Sequence, residues 1–242
     1  MQTATALIIG NEILGGKIQE SNVYPLARLL RGLGVELARV LVVPDDVSTI
    51  AKEVLALSER FDHLFTSGGV GPTHDDVTMA AIASAFGVNV VREPRLEKLL
   101  RDHYGHAATE NHLLLANVPD GAEQLYVDRS PWPLTVFRNV WILPGVPEIF
   151  QMKLAIVAEH LKGDVPFVSR AVFTKLDEAR LKPILDSTVA EHPNVDIGSY
   201  PRWQDPTYET KVTFDGKDRG AVERAFEDFQ TKLPDGEPQW TE

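Results

Sequence analysis

The sequence has no cysteine among its 242 residues. That excludes a disulfide framework, a thiolate metal centre and a cysteine nucleophile. Positive charge is also scarce: 24 lysines and arginines stand against 35 aspartates and glutamates, a net charge of −11. Such a balance works against recognising nucleic acid or an anionic membrane by bulk electrostatics. It leaves an anionic small ligand open, because backbone N–H groups bind phosphate without net positive charge. No apolar run approaches the ~18 residues of a membrane-spanning helix. The opening stretch, Met1 to Glu12, lacks the basic start of a signal peptide. A cytoplasmic location is the default expectation. Also missing are the Gly-Lys-Ser/Thr ending of a Walker A loop, a GxGxxG fingerprint, a GxSxG elbow and any HxxxH or HExxH pair.

What is present is 43% hydrophobic residues, enough for one sizeable core and a smaller second unit. The pattern predicts a buried strand at Ala4 to Ile9. A helix follows from Ser21 to Leu33, capped by Ser21 and stopped by Gly34. Next come a strand at Val35 to Val43, a helix capped by Ser48, a short strand at Leu64 to Thr66 and a helix from Val77 to Phe86. Strand and helix in alternation predict a doubly wound parallel sheet whose strand C-termini share one ligand-binding edge. A helical excursion (Arg95 to Tyr104, Glu110 to Leu115) precedes a strand at Val140 to Leu143 and a helix from Glu148 to Leu161. The polar break at Gly163 to Pro166 separates a domain at 1–163 from a smaller one at 164–235, with 236–242 as a frayed tail. The order βαββα predicts a small α+β sandwich, in which the first helix starts near Arg180 or kinks at Pro183. That order is reminiscent of RNA-binding modules, but the acidic balance and the lack of a GXXG loop argue against that use.

The glycine-rich turns fall on the predicted ligand edge. The densest is Ser67-Gly68-Gly69-Val70-Gly71-Pro72-Thr73-His74-Asp75-Asp76-Val77-Thr78. Glycines after a buried strand bring the backbone close to a ligand, the following helix start offers free N–H groups, and Thr73 and Thr78 add hydroxyls. The plain alternative is a tight turn in which Asp75 or Asp76 caps a helix. Paired carboxylates beside a phosphate repel it unless a cation intervenes, which points to a hard divalent metal such as Mg²⁺ on Asp75 and Asp76. Asp45-Asp46 lies on the same edge and offers Asp45 as a further carboxylate; capping and solvation are the alternative. Gly10-Asn11-Glu12-Ile13-Leu14 is a second loop there, with Glu12 and Asn22 as inward polar groups. Leu143-Pro144-Gly145-Val146-Pro147-Glu148 is a third, with Pro147 at a helix start and Glu148 as a first-turn acid.

These loops, in this order and together with Pro44-Asp45 and Glu110-Asn111, resemble the competence/damage-inducible protein A group of the molybdopterin-binding superfamily. The stretch Trp132 to Gly145 is similar to the molybdopterin-binding-like domain of eukaryotic FAD synthases, and Ile197 to Pro201 with Tyr208 to Phe214 resembles the segment that follows there. The resemblance implies a three-layer α/β fold with a parallel-type sheet, assembled as a homo-oligomer. It also implies a ligand site formed by Gly10, Asn11, Glu12, Asn22, Ser67, Gly68, Gly69, Gly71, Pro72, Thr73, Thr78, Glu110, Asn111, Gly145, Pro147 and Glu148. The implied ligand is a small phosphate-bearing nucleotide or pterin. The implied activity is hydrolysis of a nucleotide diphosphate such as ADP-ribose or FAD. Asp76, Asp75 and Asp45 would be the catalytic carboxylates, with a divalent metal (Mg²⁺ or a transition metal such as Co²⁺), K⁺ as a further cation and no covalent cofactor. Two other readings follow from the same likeness: a pterin- or nucleotide-binding module without turnover, and molybdopterin adenylylation. Asn11 stands where many relatives carry an acid, which removes one carboxylate from the site.

Overall fold

In the computed structural model, which describes residues 1–128 and 130–242, the chain divides into two units, Met1–Asp164 and Val165–Glu242. The first unit is built on β1 (Thr3–Ile9), whose even and odd residues bury against opposite layers. The chain leaves β1 through a single-turn helix, α1 (Asn11–Leu14), and Ala4, Ala6 and Ile8 pack with α2 (Val23–Gly32) through Leu26 and Leu30. Leu7 and Ile9 pack with α3 (Val47–Arg60) through Ile50, Val54 and Leu57. Burial on both faces explains why this strand reads as an unbroken apolar run rather than an alternation. The sheet continues with β2 (Glu36–Val43), an edge strand, and β3 (His63–Ser67). After β3 come a short turn and α4 (Thr78–Phe86), which packs beside α3. β1 pairs in parallel with both β2 and β3.

An excursion follows: β4 (Val90–Arg92), α5 (Pro94–Tyr104), α6 (Glu110–Leu113) and β5 (Asn117–Pro119). It forms a two-stranded ribbon and a satellite cluster of Leu96, Leu100, Leu113, Ala116 and Val118. The chain re-enters the main sheet through β6 (Glu123–Val127), β7 (Ser130–Phe137) and β8 (Val140–Leu143), giving the order β2-β1-β3-β8-β7-β6. β8 is parallel to β3, whereas β7 and β6 run antiparallel, so the sheet is mixed with a parallel centre. The β7–β8 turn holds Arg138 at φ 54, and Asn139 anchors it by donating from Nδ2 to the Ser58 and Phe61 carbonyls at 2.9 Å each. α7 (Pro147–His160) lies beside α2 on the first face, with Phe150, Leu154 and Val157 in the core.

Two expected caps are displaced. Asp46, not Ser48, caps α3: its Oδ1 accepts from Thr49 N at 2.8 Å and from the Ser48 and Thr49 hydroxyls at 2.7 Å each. These donors hold its carboxyl at about 2, the Ser48 hydroxyl contributing most. Glu20, not Ser21, serves α2, accepting from Asn22 N at 2.6 Å and Val23 N at 3.0 Å. A longer side chain one residue earlier reaches N–H groups that a serine here does not.

The second unit comprises β9 (Val168–Thr174), α8 (Glu178–Glu191), β10 (Asp196–Pro201), β11 (Thr210–Gly216), α9 (Arg219–Thr231) and β12 (Trp240–Thr241). Its antiparallel sheet has the order β10-β11-β9-β12, with both helices contributing to a core of Val172, Leu181, Val212, Phe214, Val222 and Phe226. Pro183 lies inside α8, which starts at Glu178, two residues earlier than the sequence suggests, because Asp177 caps it through Arg180 N at 3.0 Å. Residues 236–242 are not a frayed tail. Trp240 and Thr241 pair with Phe173 and Val172 of β9, and the Trp240 ring stacks on Phe173 at 4.6 Å.

One basic group holds the first unit together in an unusual way. Lys153 of α7 donates from Nζ to the Trp132 carbonyl at 3.0 Å and to the Pro133 carbonyl, tying the helix to β7. Burial pushes this ammonium down from its ordinary 10.5 to about 8. A depressed folded value means that the stability it contributes is complete above pH 10.5 and is lost as the pH falls through 8. Urea unfolding should therefore show the stability of wild type relative to Lys153→Met rising by about 1 kcal/mol per pH unit between pH 8 and 10. A pH-independent difference would mean that the two carbonyls hold the charge in place.

Candidate functional site

The parallel strands β1, β2, β3 and β8 all end on one edge, at Ile9, Val43, Ser67 and Leu143. The chain leaving each strand is tied to its neighbour: Gly10 N donates to Val43 O at 3.1 Å and Gly68 N to Leu143 O at 3.3 Å. Gly68 has φ 107, and a Cβ on it would lie 2.1 Å from the Ile9 carbonyl oxygen. No other residue type fits there. Gly69 follows at φ 65, and a Cβ on it would meet the Thr78 hydroxyl at 2.5 Å. That hydroxyl donates to the Gly68 carbonyl at 2.8 Å, while Thr78 N donates to the Gly69 carbonyl at 2.9 Å. The buried Thr78 thus closes the strand-to-helix turn; it is a structural residue of the loop. Gly145 of the β8 loop packs less tightly: a Cβ there would lie 3.3 Å from Gly68 Cα.

Asn22 joins these loops from behind. It is 5% exposed, and its Nδ2 donates to Ser67 Oγ at 3.0 Å and to the Gly145 carbonyl at 2.8 Å. Ser67 Oγ donates onward to the Pro144 carbonyl at 3.3 Å. Asn22 Oδ1 is buried and has no partner among the described residues. An acceptor left in that state costs about 1–3 kcal/mol unless a donor is supplied.

Of the carboxylates, Asp75 is exposed, whereas Asp76 and Asp45 are half-buried. Thr73 N donates to Asp76 Oδ2 at 2.8 Å, and the Thr73 hydroxyl lies within bonding distance of both Asp75 and Asp76. The Thr73 hydroxyl, and more weakly the His74 side chain at 4.0 Å, hold the Asp75 carboxyl below its usual range. His74 is almost fully exposed. Asp45 is placed by a different loop, accepting from Asn11 N at 2.7 Å. β1 separates β2 from β3, so the Asp45 loop starts about 10 Å from the Asp75–Asp76 loop across the sheet. Glu12 folds its carboxylate back over Gly10, and its carbonyl accepts from Lys17 and Ile18 N. Gly71 and Pro72 complete the exposed loop between Gly69 and Thr73. Pro147 occupies the first turn of α7, with Glu148 beside it as an exposed first-turn acid.

Glu110 and Asn111 stand apart on α6. Glu110 pairs with Arg92 of β4 at 2.9 Å, which lowers its pKa, and that bond lies within the excursion rather than at the glycine-rich loops. Glu20 is the residue that sequence reasoning missed. By accepting from Asn22 N it fixes the backbone that presents Asn22 to the other two loops; its signal is an acid two residues before a buried asparagine.

Comparison with known proteins now decides the family. Residues 5–163 match the family described as "Probable molybdopterin binding domain". The chain belongs to this family. Residues 166–241 match the "FAD synthase, middle domain" family. An Archaeoglobus fulgidus protein is 33% identical over 232 residues, covering 94% of this chain and 96% of its own length. A probable FAD synthase of Caenorhabditis elegans is 31% identical over 252 residues, covering 92% of this chain. The match spans only 48% of that enzyme's own length. Among solved structures, CinA of Thermoplasma acidophilum, described as of unknown function, superposes with a TM-score of 0.59 at 28% identity, covering 65% of this chain and 96% of its own. The fold is therefore the mixed α/β fold of this family, followed by a separate antiparallel domain. Among the described residues no helix is long and apolar enough to cross a membrane.

The geometry makes two predictions about loop stability. Gly68→Ala should cost at least about 3 kcal/mol in urea unfolding, because its Cβ meets a carbonyl. Gly16→Ala, also at positive φ but with open space around it, should cost only about 1 kcal/mol. Comparable losses would show that the loop can open without penalty. Asn22→Ala should lose about 2 kcal/mol, since the buried Ser67 Oγ and the part-buried Gly145 carbonyl forfeit their donor. An unchanged midpoint would mean that water replaces Nδ2.

Proposed function

We propose that this chain hydrolyses the diphosphate linkage of a nucleotide such as ADP-ribose or FAD, with a divalent cation bound at the loop carrying Asp75 and Asp76. The observation that carries this reading is the pair of carboxylates sharing Thr73, on the same strand-to-helix loop as a main chain that admits no side chain at Gly68. The donor set fits the cation: two carboxylates and a hydroxyl are hard oxygen ligands, suited to Mg²⁺ and acceptable to Co²⁺. When bound, the cation would offset negative charge on the phosphate oxygens. Thr73, already bridging both carboxylates, would orient them. Asp75, held ionised, suits a ligand better than a proton acceptor. Asp45, fixed by Asn11 N, would orient the attacking water from the neighbouring loop. Water would add to one phosphorus as the bridging P–O bond breaks, and its proton would leave with the second phosphate half. Main-chain N–H groups of 69–71 would hold the phosphate oxygens, since Gly68 N is spent on the Leu143 carbonyl, and Asn22 Oδ1 would accept a donor from the ligand or an ordered water.

A second reading, retention of a nucleotide or pterin without turnover, has its own support. Asp76 and Asp45 each already accept a backbone N–H and Asp75 accepts from the Thr73 hydroxyl, so all three carboxylates are engaged by the protein itself.

Release of AMP from ADP-ribose, FAD and ATP, assayed with K⁺ and a panel including Mg²⁺ and Co²⁺, separates the two. Hydrolysis predicts metal-dependent AMP from one substrate, reduced at least about a hundred-fold in Asp76→Asn, which keeps an acceptor for Thr73 N. Equal rates in the variant would remove Asp76 from the mechanism. Thermal stabilisation by one ligand with no product would establish the binding reading.

A further inference from the structure

The second unit contains a cleft of 580 Å³ between the first turn of α8 and the segment 201–210 that joins β10 to β11. A volume of that order accommodates a whole small molecule or a long side chain. Its most conspicuous wall is Trp203, 89% exposed, the most exposed large hydrophobic residue in the chain. The other three tryptophans each meet a ring: Trp132 lies against His103, Trp141 stacks on Phe65 and Trp240 on Phe173. Trp203 has no ring contact and no hydrogen bond among the described residues. An indole in that position is held in water at a cost, and indoles are enriched where a ligand or partner later covers them.

The rest of the lining is acidic. Asp177, Glu178, Asp205 and Glu209 give four negative charges against one positive, Arg202, a net of −3. Arg202 is already engaged. Its Nε pairs with Asp205 at 3.0 Å, its Nη1 donates to the Tyr208 hydroxyl at 3.1 Å, and its guanidinium lies 5.4 Å from the Tyr208 ring. Arg202 N also donates to the Glu209 carbonyl at 2.7 Å, which closes the segment into a hairpin. Asp177 caps α8 and Glu178 accepts from Ser199 at 2.6 Å. The Glu209 carboxylate has no hydrogen bond or ion pair among the described residues. The hairpin is thus held by its own bonds, and what remains unused is an indole face and a carboxylate across one cleft.

An anion would be repelled by this lining, and a neutral apolar ligand would leave the carboxylates facing it. A cation on an apolar stem satisfies both, since ammonium and guanidinium groups bind to carboxylates and to indole faces alike. We propose that this cleft binds an organic cation, an alkylammonium or guanidinium group, packed on Trp203 and paired with Glu209 and Glu178. The site is independent of the phosphate chemistry at the other unit. Such a cation comes either as a free polyamine or as a lysine- or arginine-bearing segment of a protein, and the two sources present the same head group.

The test is calorimetric titration of the full chain with spermidine and with acetyl-trilysine amide. About 0.15 M salt screens diffuse attraction to the net charge of −11. Tryptophan emission is followed in parallel. Saturable binding with a change in emission is expected for at least one probe. Trp203→Ala should abolish the emission change and weaken binding at least ten-fold. Glu178→Gln with Glu209→Gln should also weaken it ten-fold, while Glu227→Gln, an exposed acid on α9, should leave it unaltered. Tighter binding of spermidine identifies a free cation, and tighter binding of the peptide a chain-borne one. Absence of saturable binding by both probes, or equal affinity in Trp203→Ala, would overturn the assignment; because Trp203 is exposed and supports no core, its loss does not threaten the fold.

Discussion

The architecture of the ligand edge rests on one close approach, main chain against main chain, where Gly68 passes under the Ile9 carbonyl. A single methyl group there would sit 2.1 Å from the oxygen. That contact sets how near the ends of β1 and β3 come, and Gly145 of the β8 loop packs onto the same glycine. With three strand ends drawn together, the Thr78 hydroxyl can reach the Gly68 carbonyl and start α4 in the only direction left to it. α4 in turn lies beside α3 over Leu7, Ile9 and Leu64. Packing of the second layer and shape of the cradle are therefore consequences of the same constraint. A main-chain turn without side chains, as at Gly69 and Gly71, is also what phosphate recognition by N–H groups requires.

How much of this was legible in the sequence follows from which interactions are local. β1 and β8 read correctly because both faces are buried and the apolar run is continuous. The glycine loops read correctly because a demand for glycine is a property of the backbone at one position. β6 and β7 did not read as strands, since Asp128, Pro131 and Pro133 punctuate them like a loop; pairing with β8 overrides that local signal. β12 has two residues, too few to show a period, and is held instead by Trp240 stacking on a phenylalanine 67 positions earlier. The helix caps were misplaced by one or two residues because several acceptors compete within a short stretch. Asn22 marks the same limit at the site itself: its partners lie 45 and 123 residues away, so its role as a staple needed the fold.

The electrostatics of the edge set a condition that any phosphate-binding role must meet. The chain carries a charge of −11, and the exposed His74 beside Asp75 offers little to offset the local carboxylates. Attraction must come from main-chain N–H groups, yet two of the best placed are already taken. Thr73 N is bonded to Asp76 and Asn11 N to Asp45. On the proposed reading, the protein's own carboxylates would compete with phosphate oxygens for these donors. An incoming phosphate has to displace a carboxylate that is tethered nearby and pays no entropy to return. A cation shared between carboxylate and phosphate removes that competition by turning the repulsion between them into two attractions. On the proposed function, cation and phosphate would therefore bind cooperatively, each weakly at this loop alone and strongly together.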